Sequence, residues 1–179
     1  FIAVNCSVIP ESHLEAELFG SSKSHGIHPS HKGKFEMANK GTLLLSEISD
    51  INFAVQAKIF QAIESHQITG ISNDSTHIDV RLITSTSSNL IELVEQNRFK
   101  LDLYYRIREI TLEVPPLRER KEDIPLLADH FIRKFAKDFG KKIMGISDVA
   151  MNFLVNHEWK GNIRELYNVV RTAVALCEK

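Results

Sequence analysis

The stretch GTLLLSEISD, Gly41 to Asp50, ends an apolar run on Glu47, with Ser46 directly before it. Two adjacent acids at such a strand end would do phosphoryl-transfer chemistry, one holding Mg²⁺ and the other orienting the attacking water. Ser46 carries no charge to oppose the cation, and Mg²⁺ is a hard ion that prefers carboxylate oxygens. At a strand end of that kind Ser46 would leave the cation one carboxylate short. A G-x-x-x-x-G-K-[ST] loop, which would cradle the phosphates, occurs nowhere in the 179 residues. His25, His28 and His31 share one polar stretch, SSKSHGIHPSHK. They could meet Zn²⁺, but a structural site wants four firm ligands and no cysteine lies near. That stretch reads as a solvated loop, and no metal site is assigned.

These residues need elements to hold them. Phe1 to Cys6 reads as a buried strand that opens in mid-domain, as in a fragment. Pro10 then starts a helix that Gly20 ends. The continuous apolar run from Gly41 marks a strand covered on both faces. Val55, Ile59, Ala62 and Ile63 repeat at helical spacing. HIDVRLITST predicts a strand after the turn-rich GISNDST, residues 90–105 a helical stretch, and IREITLEV a further strand. Strands alternating with helices argue for a parallel α/β sheet.

Pro115-Pro116 punctuates the chain. Beyond it Ile124, Leu127, Ala128, Phe131, Ile132 and Phe135 keep the spacing of an amphipathic helix. Ser147 can cap a second helix through Met151 and Leu154, and GNIRELYNVVRTAVALCEK reads as a third. The division predicted is 1–116 for the α/β part and 117–179 for a small helical subdomain. A formal net charge of −1 excludes a broad basic field for nucleic acid. Cys6 and Cys177, without motif spacing, imply a reducing, intracellular setting. No apolar run is long enough to cross a membrane.

The blocks VNC, ELFG, KGKFEMANKGTLLL, FKLDLYYRI, PPLRERKEDIPLLADHF and WKGNIREL stand in one order along nearly the whole chain. In that order they resemble the AAA+ central domain of bacterial enhancer-binding regulators, the NtrC-like activators of sigma-54 RNA polymerase. The resemblance implies a P-loop NTPase-type parallel sheet with helices on both faces, followed by a helical lid. It also implies ATP or ADP with Mg²⁺ as cofactor, and self-assembly into a ring or dimer. A sigma factor or RNA polymerase would be the target. DNA would be reached through a helix-turn-helix outside this chain, with a receiver or other sensory domain upstream and a cytoplasmic setting.

Residue by residue, the resemblance makes Glu47 the water-activating acid and puts Ser46 where the family has Asp. Asn5 matches the Asn that holds this Glu in an off position. Thr86-Ser87 replaces the Thr-Asn of the γ-phosphate sensor, and serine brings no amide. Arg106 matches the second of two trans-acting arginines, while Lys100 takes the place of the first. Lysine lacks the planar fork, and an arginine finger can supply roughly 10³–10⁵ in rate. Arg164 corresponds to the sensor arginine of the lid. Between Gly20 and Lys32 the GAFTGA loop of the activators is absent, and Ile27 is the one sizeable apolar residue there. The expectation is a degenerate module, weak or inactive toward ATP, that no longer works with sigma-54 and forms no stable hexamer from this stretch alone. An active ATPase and a non-catalytic or cyclic di-GMP-responsive module are the alternatives.

Overall fold

The structure, a computed structural model, describes residues 1–20, 32–69 and 75–177. It divides into two compact units, Phe1–Thr111 and Leu112–Lys179.

The first unit is built on a parallel sheet of β1 (Ile2–Asn5), β2 (Gly41–Ser46) and β5 (Val80–Ser85), in the order β1-β2-β5. In β2, Leu43 and Leu45 are fully buried while Thr42 and Leu44 on the other face are half-buried. Both faces are covered, which explains the absence of polar alternation in that run. The sheet carries helices on both faces, among them α1 (Glu11–Phe19), the short α2 (Lys34–Met37) and α3 (Phe53–Ser65). Leu14, Leu18, Phe35, Val55 and Ile59 from these helices join Leu43 and Leu45 in one core. Asn52 caps α3 by accepting the Val55 N–H at 2.9 Å. Pro10 stands just before α1 and Gly20 just after it, as the sequence indicates.

Three local expectations change. Residues 90–105 form two helices, α4 (Leu90–Glu95) and α5 (Leu101–Ile107), because Asn97 turns into left-handed backbone at φ 55°. A small antiparallel hairpin, β3 (Gln67–Thr69) with β4 (Ser75–His77), precedes β5, and Ile78-Asp79 break the strand read through HIDVRLITST. IREITLEV forms no strand. Among the described residues none pairs with it, and Ile110, Leu112 and Val114 are each about four-fifths exposed or more. An extended segment without a ladder partner is not a strand.

The second unit holds α6 (Asp123–Asp138), α7 (Asp148–Asn156) and α8 (Asn162–Leu176). Ile124, Phe131, Ile132 and Phe135 of α6 pack with Leu166, Val170 and Val174 of α8 around Trp159. Tyr167 meets Phe131 and Phe135 edge-on, with centroids at 5.3 and 4.9 Å. Ser147 accepts the Ala150 N–H at 3.3 Å, the cap read from the sequence. Asn162 Oδ1 accepts the Leu117 N–H at 2.8 Å and ties the entry of the unit to α8.

Candidate functional site

Parallel register places the chemistry-bearing residues of the first unit on one edge. Asn5 lies opposite Ser46, and Ser46 opposite Ser85, so the three strands end level. Glu47 follows β2 directly, and Thr86 and Ser87 follow β5. The carboxyl ends of the strands of an open α/β sheet are where such folds bind ligands. Four of the sequence-derived residues of β2 and β5 are thus brought together: Ser46, Glu47, Thr86 and Ser87.

Glu47 leaves the strand in left-handed backbone, φ 54° and ψ 54°, and opens a 3₁₀ turn over Ile48–Asp50. Its Oε2 accepts the backbone N–H of Ser87 at 3.1 Å and the Ser87 hydroxyl at 2.9 Å. Asn5 is engaged elsewhere. Its Oδ1 accepts the N–H and the hydroxyl of Ser7, at 3.1 and 2.8 Å. This two-residue loop is a local solution open to any strand-end Asn. The Asn5 side chain therefore does not hold Glu47 here. Thr86 is also occupied locally, its Oγ1 accepting the Ser88 N–H at 3.0 Å. Ser46 brings a small half-buried hydroxyl and no charge.

The Cys6 thiol lies against this edge and is pushed up from 9.0 to about 11. Burial is the main cause, followed by the carboxylates of Asp50 and Glu47. It is a protonated core thiol and no nucleophile at neutral pH.

Lys100 and Arg106 belong to α5 and have partners of their own. Lys100 lies at the start of α5, its ammonium 4.6 Å from the Phe53 ring centroid. Arg106 lies in the last turn, with Nη1 2.5 Å from Glu109 Oε1 and Nε 3.3 Å from Glu64 Oε2. The Nε interaction is Coulombic only, because its direction makes no hydrogen bond. Both acids are mostly exposed, so these pairs add little stability. Arg164 belongs to the second unit, exposed in the first turn of α8.

Sequence reasoning passed over Gln56, Glu64 and Glu109. Gln56 has no exposed surface, and its amide donates to the carbonyls of Ile51 and Arg98 at 2.7 and 3.1 Å. A polar residue between Val55 and Ile59 on an apolar helix face was the available signal. His25, His28 and His31, and the stretch that replaces GAFTGA, lie outside the described residues. Among the described residues no group of three potential ligands could hold a metal ion, and no helix is long and apolar enough to cross a membrane.

An open parallel sheet with an acid at its carboxyl edge, accompanied by a helical lid, defines the AAA+ class. Within that class the chain belongs to the sigma-54 interaction domain family, whose profile matches residues 1–113, and residues 118–179 match the AAA+ ATPase lid domain. It is 43% identical over 181 residues to the transcriptional regulatory protein XylR of Pseudomonas putida, covering 99% of this chain and 32% of XylR. It is 44% identical to ZraR of Salmonella typhimurium, covering 98% of this chain and 40% of ZraR. The chain thus spans about a third of the length of such relatives. NtrX from Brucella abortus, solved in complex with ATP, superposes with a TM-score of 0.88 at 33% identity, over 98% of this chain and 38% of that one. Hsp104, at 15% identity and a TM-score of 0.68, shares the fold alone.

Proposed function

We propose that this chain is the central AAA+ domain of a bacterial transcription regulator in which hydrolysis is impaired and nucleotide-linked self-assembly remains the working output. The carrying observation is Ser46 beside Glu47, a hydroxyl and one acid where the family resemblance puts two adjacent acids. Mg²⁺ bound to a nucleotide would be held by fewer charges than phosphoryl transfer requires. NtrX with bound ATP supports nucleotide as the ligand, and cyclic di-GMP has no residue here that favours it. Lys100 and Arg106 act across a subunit boundary in this reading, toward the phosphates of a second copy. Arg164 reports on the same phosphates from the lid. The stretch from Ser21 to His31, which has no Phe and no Thr-Gly step, supports an output that no longer engages sigma-54. DNA binding belongs to a helix-turn-helix elsewhere in the protein, and the setting is cytoplasmic.

The test restores the missing charge. In the whole protein, S46D raises phosphate release from Mg·ATP by roughly tenfold or more, with the gain abolished in S46D/E47Q. Turnover by the unaltered protein that rises steeply on oligomerisation, with S46D adding nothing, favours the second reading, an active ATPase that remodels sigma-54 polymerase. Glu47, Arg106 and Arg164 are the residues that favour it.

A further inference from the structure

The way Glu47 is held carries an inference that rests on reading this acid as the group that orients an attacking water. Left-handed backbone is unfavourable for a residue with a Cβ, and Glu lacks the short side chain that lets Asn or Asp adapt to it locally. Such strain persists where the surroundings over-determine it, and it gathers at functional sites. What fixes Glu47 is Ser87, by two donors that converge on one oxygen. The backbone N–H and the hydroxyl both reach Oε2, at 3.1 and 2.9 Å. Among the described residues Oε1 has no hydrogen-bond partner, so it is the oxygen left to accept from a water.

Strand order decides the direction. β1 lies on one side of β2 and β5 on the other. Glu47 turns to the β5 side, while Asn5 on the β1 side is closed into its loop with Ser7.

We propose that Ser87 is the positioning residue for Glu47: it fixes Oε2, leaves Oε1 to orient the water, and replaces Asn5 as the side chain that decides where Glu47 points. Its hydroxyl and its own N–H donate from one residue to one acceptor atom, which closes a small fork on Oε2.

The experiment reads the hydrogen bond without relying on turnover. Amide exchange at Ser87 is followed in the whole protein, in the unaltered form and as E47A and N5A. E47A speeds exchange at Ser87 by roughly tenfold or more, as expected when a charged acceptor is removed, and N5A does not. Equal exchange in E47A and the unaltered protein, or acceleration by N5A to the same degree, overturns the proposal. A kinetic arm adds the functional readout. S87A lowers kcat for ATP by roughly tenfold to a hundredfold with KM little changed, and S87T, which keeps the hydroxyl, restores it. A fall in S87A that S87T does not restore also counts against Ser87. Calorimetry that finds neither ATP nor ADP bound would remove the nucleotide reading itself, and the exchange comparison still decides whether Ser87 holds Glu47.

Discussion

The side-chain oxygen of Gln56 accepts the backbone N–H of Lys100 at 2.8 Å, joining α3 to the start of α5 across 44 residues. Its amide nitrogen meanwhile serves two carbonyls, so one buried group satisfies three backbone atoms. Phe99, Leu103 and Tyr104 pack this segment into the core, and Gln56 adds the hydrogen bond that fixes the start of α5 at Lys100. Q56L removes the amide but keeps the bulk, and leaves those backbone groups without partners. A loss of about 2–4 kcal/mol is expected, read from the urea midpoint by circular dichroism.

Gly33 illustrates a different constraint. Its φ of −66° is ordinary, yet a Cβ built there would lie 2.4 Å from the Phe19 carbonyl carbon and 2.5 Å from the Gly20 nitrogen. Those are backbone atoms that cannot swing aside. G33A should therefore push α2 away from the end of α1 and disturb the stacked Phe19 and Phe35 rings, now 5.3 Å apart. Destabilisation of about 1–3 kcal/mol is expected, and a melting temperature equal to that of the unaltered chain would refute it.

Cys6 gives the chain an alkaline limit. Folding raises its thiol from 9.0 to about 11, so the folded state resists the charged form. The associated stability is fully present below pH 9 and is lost as pH rises through about 11, where the unfolded chain gains by ionising first. The loss reaches about 2 kcal/mol near pH 11. C6A should flatten that part of the stability curve. In the native protein at pH 8, iodoacetamide should modify the exposed Cys177 and spare Cys6.

Much of this was legible in the residues themselves. The spacing from Ile124 to Phe135 states the buried face of α6, and Ser147 states where α7 starts, because both depend on neighbours along one helix. Ser46, Glu47, Thr86 and Ser87 stand out through the family resemblance, and the parallel register is what places them on a common edge. The hairpin was hidden, since strands of three residues carry no period. The break between α4 and α5 was hidden too. It rests on Asn97, which enters left-handed backbone while the Arg98 N–H closes onto the Leu93 carbonyl at 2.8 Å, and a single Asn inside an apolar pattern does not announce such a turn. Which donor Glu47 would find was equally beyond reach, because Asn5 had a local alternative in Ser7 that the pattern does not weigh.

Lys141 closes a helix from outside it. Its ammonium donates to the carbonyls of Ala175 and Cys177, at 2.6 and 2.7 Å, at the carboxyl end of α8. Positive charge there meets the negative pole of the helix and satisfies carbonyls that have no helical partner. K141M should cost about 0.5–1 kcal/mol at low salt, with a smaller difference at about 1 M salt. A thermal shift unchanged by salt would argue against the charge as the cause.

Trp159, the one tryptophan in the chain, is buried in the second unit, where its Nε1–H donates to the Leu154 carbonyl at 2.7 Å. Indole emission is accordingly a private reporter of the lid. A denaturation curve followed at the indole describes one unit, whereas far-ultraviolet dichroism averages over both. The gap between the two midpoints is a direct spectroscopic measure of how independently the halves come apart.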